Sequence, residues 1–108
     1  MAYKFYTLDN KFIKESDFFP ISNFTGILEY HGGTRDWYFN GKIHRLDEPA
    51  VVYHDGATEW YVIGRRHRID GAALEWPNGY KEWWIYGKRV TELEYKLLCD
   101  MMKLKNLL

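Results

Sequence analysis

The stretch GTRDWYFNGK at residues 33–42 returns twice, as GATEWYVIGR at 56–65 and as GYKEWWIYGK at 79–88. The three stretches align without a gap at a spacing of 23 residues. Each keeps an opening glycine, an acidic residue, a tryptophan, a second aromatic residue and a closing glycine followed by a basic residue. Constant spacing of this kind is typical of repeat architectures, in which each copy is one supersecondary unit. We therefore interpret residues 26–90 as three copies of one unit.

Each copy has the pattern of two short strands joined by glycine turns. Aromatic and β-branched residues fill runs of five or six positions, and glycine-containing dipeptides bound these runs. Asn40-Gly41 is a preferred type I′ hairpin dipeptide, whereas Ile63-Gly64 and Tyr86-Gly87 keep only its glycine. The expected fold is mainly β, an antiparallel meander of three 23-residue hairpin repeats with an N-terminal hairpin cap and a C-terminal capping α-helix.

The two ends of the chain are expected to cap the open edges of such a sheet within a single domain, residues 1–108. The pattern of residues 3–14 predicts a degenerate hairpin that turns at Asp9-Asn10, within an N-terminal cap over 1–25. Thr91 and Glu94 form a capping box, which predicts a helix over 91–108. The predicted apolar stripe of this helix consists of Leu93, Leu97, Leu98, Met101, Met102, Leu104 and Leu108. We expect it to lie on the sheet, with a partner-binding or dimerising helix as the alternative.

Alternation along each long strand divides the side chains between two faces of the sheet. One face is expected to stack Trp37, Trp60 and Trp83 with Phe39, Val62 and Ile85. Because these companions are purely apolar, this face is predicted to be the core. The other face is expected to stack Tyr38, Tyr61 and Trp84 beside Asp36, Glu59 and Glu82. It is amphipathic, and it is interpreted as an exposed surface or as one that the helix partly covers.

A second recurring feature is the pair His44-Arg45-x-Asp47 and His67-Arg68-x-Asp70. In a catalytic or metal site the histidine would act as a base or ligand that the aspartate orients. Recurrence favours a structural role, because an architecture rebuilds the same device wherever the chain makes the same turn. We expect the arginine to pair with the aspartate and to reach backbone carbonyls, and the histidine to pack edge-on with one nitrogen bonded. The residues assigned to the repeat itself are Trp37, Trp60, Trp83, Gly41, Gly64, Gly87, His44, Arg45, Asp47, His67, Arg68 and Asp70.

Composition restricts the remaining function classes. Lys+Arg and Asp+Glu both number 15, so the formal net charge of +0 favours neither a generic nucleic-acid binder nor an acidic DNA mimic. Cys99 has no partner for an internal disulfide, and no His/Cys pair has zinc-finger spacing, so no metal and no cofactor is expected. No signal-peptide pattern and no membrane-spanning stretch is visible, which predicts a cytoplasmic protein without a membrane partner.

Positions at which the copies differ are free to carry function, because the shared fold does not require them. The third copy is the most aromatic and, with Lys88 and Arg89, is locally basic. Aromatic residues beside arginine are typical of protein-interface hot spots and of nucleotide stacking platforms. The predicted partner-binding residues are Tyr38, Tyr61, Trp84, Tyr86, Arg66 and Arg89.

The units WYFNGKIHRLDEPAVVYHDG at 37–56 and WYVIGRRHRIDGAALEWPNG at 60–79 resemble a known repeat. Their pattern is similar to the W-x-x-N-G-K-x-H-R-x-D-G-P-A repeats of small bacteriophage and large-DNA-virus proteins, which are MORN-like in outline. The chain departs from that pattern at Glu48 for glycine, Ala72 for proline and Ile63 for asparagine, so the turns are allowed to differ in type.

This resemblance implies a non-enzymatic, phage-encoded scaffold in the host cytoplasm. It further implies a protein–protein interaction in which the chain binds and inhibits a host protein, including a host-defence enzyme or complex. Two alternatives stay open, a protein that sequesters a nucleotide or signalling molecule and a small enzyme that uses His44 or His67. The sequence also leaves open a homodimer formed through a sheet edge or through the Leu-rich tail.

Overall fold

A computed structural model describes residues 3–14 and 23–104. Parts of the predicted N-terminal cap (1–2 and 15–22) and the end of the predicted helix (105–108, including Leu108) lie outside the described residues.

The described residues form twelve strands followed by one helix. In chain order they are β1 (Tyr3–Tyr6), β2 (Phe12–Ile13), β3 (Gly26–Tyr30), β4 (Arg35–Phe39), β5 (Lys42–Ile43), β6 (Val51–Val52), β7 (Thr58–Glu59), β8 (Tyr61–Val62), β9 (Arg65–Arg66), β10 (Leu74–Glu75), β11 (Lys81–Ile85), β12 (Lys88–Val90) and α1 (Glu92–Leu104). The main sheet has the order β2-β1-β3-β4-β6-β7-β10-β11-β12, β5 pairs with β4, and β8 pairs with β9. Neighbouring strands are antiparallel, so the fold is a mainly β antiparallel meander with one C-terminal helix.

Hairpin turns with one backbone geometry recur at positions 23 residues apart. Asn40, Ile63 and Tyr86 have φ of 52°, 48° and 44°, and the glycine after each has φ of 80°, 76° and 84°. Positive φ at both central residues is what a type I′ turn requires. Ile63, which stands where the first of these turns has Asn40, therefore keeps the positive φ of the turn. A β-branched residue is strained at such a φ.

One row of directly paired residues crosses the sheet, and most of its members are buried. Along the row lie Phe5, Leu28, Asp36, Val51, Glu59, Leu74 and Glu82. Residues paired directly across strands share a face, so aliphatic and acidic side chains alternate along the row. Asp36 and Glu59 are 7% and 8% exposed and lie between buried aliphatic neighbours. We call this side of the sheet the carboxylate face, and the opposite side, which carries Trp37, Trp60 and Trp83, the tryptophan face.

The prediction that the tryptophan face forms the core and that the carboxylate face is exposed is wrong in part. Phe39 is 49% exposed, and the three tryptophans of that face are only half-buried. The buried row runs instead along the carboxylate face. The reason lies in what covers each face: tyrosine rings cover the carboxylates, whereas the groups that lie over Trp37 and Trp60 are the guanidinium groups of Arg45 and Arg68.

Helix α1 begins at the predicted capping box. The Glu94 N–H donates to Thr91 Oγ1 at 3.1 Å, and the Thr91 N–H donates to Glu94 Oε1 at 2.9 Å. These two bonds satisfy two of the donors that a helix start leaves free.

Most of the predicted apolar stripe of α1 does not lie on the sheet, although Met102 is half-buried. Tyr95 and Cys99 are buried instead, whereas the outward side carries Leu93, Leu97, Leu98, Met101 and Leu104, the last 89% exposed. The phenol of Tyr95 donates to the Arg68 carbonyl at 2.7 Å and accepts from the Gly71 N–H at 2.9 Å. A leucine could satisfy neither of these backbone groups, which is why the helix turns its tyrosine inward. Within the described residues, no helix has the length and apolar character needed to cross a membrane.

Candidate interaction surface

On the carboxylate face, a tyrosine at the end of the preceding strand or directly after it binds each buried acid. The Tyr30 hydroxyl donates to Asp36 Oδ2 at 2.9 Å, and the Tyr53 hydroxyl donates to Glu59 Oε2 at 2.6 Å. The two pairs are equivalent, because 30 and 53, like 36 and 59, are 23 residues apart. Burial, together with the bonded carboxylate, raises the pKa of both phenols, so the tyrosines are neutral donors.

Glu82 occupies the next equivalent position and takes different donors. Tyr80 donates its hydroxyl to Oε2 at 2.7 Å, and the Trp84 indole Nε1–H donates to Oε1 at 2.9 Å. Arg89 Nη1 lies 3.5 Å from Oε2, and Arg89 Nη2 donates to the Tyr80 hydroxyl at 3.0 Å. The hydrogen bond from Tyr80, aided by Trp84 and the arginine charge, lowers the pKa of Glu82.

Arg66 is held between two rings and two acids. Its Nη2 donates to Glu59 Oε1 at 2.5 Å, and its Nη1 lies 3.9 Å from Glu82 Oε1. The guanidinium carbon is 5.4 Å from the ring centroid of Tyr61 and 4.8 Å from that of Trp84, within the range of cation–π attraction. The charge of Arg66 is therefore already neutralised inside the chain.

The environments of Glu59 and Asp36 shift their pKa values in opposite directions. Burial by itself would raise the pKa of Glu59, but hydrogen bonds from Tyr53, Tyr61 and Arg66 outweigh it and the pKa is lowered. For Asp36, burial raises the pKa, the Tyr30 hydrogen bond opposes the rise only in part, and the charge of Glu59 adds to it. Asp36 is thus the acid of this face whose charge is compensated least.

Open cavities lie between these rows of rings. One of about 450 Å³ has Tyr30, Asp36, Tyr53, Glu59 and Tyr61 among its lining residues. A second, of about 540 Å³, is lined in part by Tyr53, Glu59 and Trp76. Both are the size of small-ligand or side-chain pockets.

The structure brings together only part of the predicted partner-binding set. Tyr61, Arg66 and Trp84 form one cluster, and Arg89 joins it through Glu82. Tyr38 lies further along the same face, with its ring centroid 5.9 Å from that of Phe24.

Tyr86, another of the predicted partner-binding residues, lies outside this cluster. Its ring stacks on His67, with the centroids 3.8 Å apart, beside a cavity that Trp60 and Arg68 line on the other side of the sheet. The φ of 44° at Tyr86 turns the chain at this point, so its side chain leaves the alternation of the strand before it.

Both repeated histidines make the same backbone contact. His44 Nδ1 accepts the Ile63 N–H, and His67 Nδ1 accepts the Tyr86 N–H, each at 2.9 Å. Each imidazole thereby holds the first residue of the next hairpin turn. Burial, with a contribution from the charge of Arg65, lowers the pKa of His67 and keeps the ring neutral as this acceptor role requires. His67 stacks face to face on its neighbour with 14° between the planes, so the expected edge-on packing is wrong for it.

The repeated arginines lie flat on the tryptophan face. The guanidinium carbons of Arg45 and Arg68 are each 4.0 Å from a tryptophan ring centroid, Trp37 and Trp60 respectively. Arg45 donates to the Pro49 carbonyl at 3.2 Å, and Arg68 donates to the carbonyl of Ala72, the equivalent residue, at 3.0 Å. The expectation that these arginines reach backbone carbonyls is thus met at both positions.

The predicted arginine–aspartate pairing holds at one of the two positions. Arg68 Nε lies 3.3 Å from Asp70 Oδ1. Arg45 pairs instead with Glu48, at 2.9 Å, so the expected partner Asp47 is wrong. Glu48 stands where the other unit has Gly71, and its longer side chain reaches a guanidinium that glycine cannot contact.

Sequence reasoning missed Tyr30, Tyr53 and Tyr80 as members of this surface. Their signal was present, because Tyr30 and Tyr53 share one position of the 23-residue spacing and Tyr80 lies two residues before Glu82, on the same face. The sequence pattern did not show that each of these phenols donates a hydrogen bond to a carboxylate.

Comparison of the chain with protein-family models, with curated proteins and with solved structures finds no match. Within residues 3–14 and 23–104, no group of three or more His, Cys, Asp or Glu side chains is placed to hold a metal ion.

Proposed function

We propose that this chain is a non-enzymatic binding protein that engages a partner protein through its carboxylate face. The observation that carries the proposal is the set of aromatic rings that are fixed by hydrogen bonds to carboxylates and yet open to solvent. Tyr53 and Tyr80 donate to Glu59 and Glu82, and both rings remain exposed. Trp76, between them, is 49% exposed.

Fixed aromatic rings suit protein recognition for a thermodynamic reason. A partner that packs on a mobile side chain must first immobilise it, which costs about 0.5–1.5 kcal/mol for each long side chain. Here the hydrogen bonds within the face have already oriented the rings. Tyrosine, tryptophan and arginine are also the residues enriched at interface hot spots.

The same proposal includes the finer fold, three MORN-like hairpin repeats between an N-terminal cap and a C-terminal helix. The equivalent contacts of His44 with Ile63 and of His67 with Tyr86 support it, because they join each hairpin to the next in the same way. The hairpin β1–β2, next to β3 at one edge of the sheet, is in the position a cap would take.

The partner is proposed from the resemblance rather than from the geometry. Repeats of this pattern in phage and viral proteins imply a host protein, for example a defence enzyme or complex, met in the host cytoplasm. The geometry adds its chemistry. Asp36, Glu59 and Glu82 lie on the carboxylate face with Arg66 and Arg89, and both of these arginines are paired within the chain.

This pairing weighs against sequestration of a nucleotide or another anionic signalling molecule. To bind a phosphate, Arg66 would have to leave Glu59, which accepts its hydrogen bond at 2.5 Å. An incoming anion would also meet the uncompensated Asp36. The enzyme alternative is weakened in the same way, since His44 and His67 both use Nδ1 to hold backbone N–H groups.

The proposal is tested by capturing the partner from host lysate and then measuring its affinity for variants of opposite faces. Trp76→Ala removes an open ring of the carboxylate face. Phe39→Ala is the matched control, because Phe39 is equally exposed but lies on the tryptophan face. We expect Trp76→Ala to weaken binding by about tenfold or more, as loss of a hot-spot ring does, and Phe39→Ala to change it little. The reverse pattern would place the interface on the other face, and a thermal shift produced by a nucleotide panel instead would favour the sequestering alternative.

We propose in addition that α1 pairs with the same helix of a second copy. Its exposed stripe of Leu93, Leu97 and Met101 has no cover among the described residues. An antiparallel pair would bring the acidic first turn, with Glu92 and Glu94, close to Lys103 in the last turn of the other helix. Sedimentation velocity should show a dimer that Leu97→Glu converts to a monomer, and the variant should keep the far-UV circular dichroism of the wild type because Leu97 is exposed in the single chain. A monomeric wild type would exclude this pairing.

A further inference from the structure

Positions 43, 66 and 89 are equivalent sites on the carboxylate face, and only the last two hold an arginine. Arg66 is paired directly with Tyr61 across β8 and β9, and Arg89 is paired directly with Trp84 across β11 and β12. The same register across β4 and β5 pairs Tyr38 with Ile43. Where two equivalent sites present a guanidinium to the carboxylate row, this site therefore presents a short apolar side chain.

Asp36 is the carboxylate that this exchange leaves without a cation. Glu59 is paired with Arg66 and Glu82 with Arg89, but no ion pair of Asp36 occurs among the described residues. Its Oδ2 accepts the hydroxyl of Tyr30, and no described residue donates to Oδ1. A carboxylate that is 7% exposed and has no cationic partner costs stability unless a cation is supplied.

A cavity of about 450 Å³ lies at this site. Its lining includes Asp36 and Ile43, together with Glu59 and the rings of Tyr30 and Tyr61. The neighbouring site shows what the fold places in such a space, because Arg66 lies there over Tyr61 and Trp84 and beside Glu59 and Glu82. The equivalents of these four groups, 23 residues earlier, are Tyr38, Tyr61, Asp36 and Glu59.

We propose that this cavity receives the guanidinium group of an arginine side chain that the partner protein supplies. The incoming group donates to Asp36 and lies on the ring of Tyr61, which lines the cavity and is the equivalent of the Trp84 ring that Arg66 lies over. This inference rests on the proposed function, since it names the chemical group that the carboxylate face recognises.

The geometry favours arginine over lysine. A guanidinium is planar and delocalised, so it lies flat on an aromatic ring while its edge donates to a carboxylate. An ammonium group is a compact, strongly hydrated charge that gains less from such a ring. Because the site lies between strands and opens to solvent, a side chain projecting from a partner surface reaches Asp36 without a change in the backbone.

Binding is measured by NMR titration of the whole chain with N-acetyl-arginine N-methylamide, an isolated peptide-like arginine. The control probe is the citrulline counterpart, which has nearly the same shape without the charge. The lysine counterpart tests for a general cation site. We expect saturable shifts of the β4 and β7–β8 amide resonances with the arginine probe, and affinity at least about tenfold lower for both others, the change that 1.4 kcal/mol produces.

Two variants of the chain test the site from opposite directions. Asp36→Asn removes the charge in nearly the same volume, and Ile43→Arg supplies the missing guanidinium from within. We expect each variant to bind the arginine probe with an affinity lower by about tenfold or more. Both variants should unfold at or above the wild-type midpoint, because the first removes a buried charge and the second gives that charge a partner. These midpoints separate a lost site from a lost fold.

Three results would overturn the inference. One is the absence of saturable shifts with the arginine probe, another is equal affinity for arginine and citrulline or lysine, and the third is undiminished binding by folded Ile43→Arg. Its failure is separable from that of the proposed function. If Trp76→Ala weakens binding of the partner protein but Asp36→Asn does not, the carboxylate face is still the interface and only the arginine assignment is wrong. If the arginine probe binds while Trp76→Ala leaves the partner unaffected, the cavity stands and the proposed interface falls.

Discussion

Replacing His67 with alanine distinguishes a structural from a catalytic role for the repeated histidines. The imidazole is 7% exposed, stacks on Tyr86 and accepts its N–H at 2.9 Å. Its loss leaves that N–H without an acceptor in a turn held at a φ of 44°, which costs about 1–3 kcal/mol. The space left by the ring adds about 1 kcal/mol or more. We expect the free energy of unfolding to fall by about 2–4 kcal/mol, which corresponds to a decrease in Tm of about 10 °C or more.

The assay is urea and thermal unfolding followed by tryptophan fluorescence, which the 5 tryptophans of the chain make sensitive. His54→Ala is the control, because that histidine is exposed and should change stability by no more than about 0.5 kcal/mol. The loss of unfolding free energy in His44→Ala should lie between those of His67→Ala and His54→Ala, since His44 makes the equivalent bond from a half-buried position. A His67→Ala protein that unfolds at the wild-type midpoint would refute the structural interpretation.

Three further predictions concern the same contacts. The pKa of His67 is lower in the folded chain than in the unfolded chain, so the unfolded state takes up a proton first as the pH falls. The stabilisation by neutral His67 is therefore complete above a pH of about 6.5 and declines below it. This decline should be absent from the pH profile of the unfolding free energy of His67→Ala. Glu59→Gln should lower the free energy of unfolding by about 3 kcal/mol in urea titrations, because Arg66 loses its closest acid; an unchanged midpoint would mean that Glu82 compensates fully. Ile63→Asn should raise the free energy of unfolding by about 1 kcal/mol, because asparagine tolerates the φ of 48° at this turn, and a lower thermal midpoint would contradict the assignment of strain there.

Much of the local structure was predictable because it depends on neighbours in the chain. Alternating aromatic and β-branched residues predicted the long strands, and the glycine after Asn40 and after its equivalents predicted the hairpin turns. The reciprocal bonds of Thr91 and Glu94 were readable from their spacing alone. Each of these features is determined within a few residues, where the periodicity of the backbone leaves little freedom.

Contacts between units were less accessible. Nothing in the spacing of Arg45 showed that it would select Glu48 rather than Asp47, since both are within reach and only the path of the loop decides. The stacking of Tyr86 on His67 was not predictable for a similar reason, because a difference between the copies at this position does not show which side chain its ring will meet.

The antiparallel meander was predictable from the chain alone, because the 23-residue spacing of glycine, acid and tryptophan indicates short strands separated by turns. Which faces are buried depends on contacts between elements that are distant in the chain. Leu97 and Tyr95 both belong to an amphipathic helix, but the helix packs Tyr95 inward because the carbonyl of Arg68 and the N–H of Gly71 need a polar partner. Strand pairing likewise shows that Asp36 has no cationic partner, because Ile43 occupies the position at which Arg66 and Arg89 lie beside the other two acids. Periodicity places a residue on a face, whereas the groups that meet it from other strands decide its energetics and its chemistry.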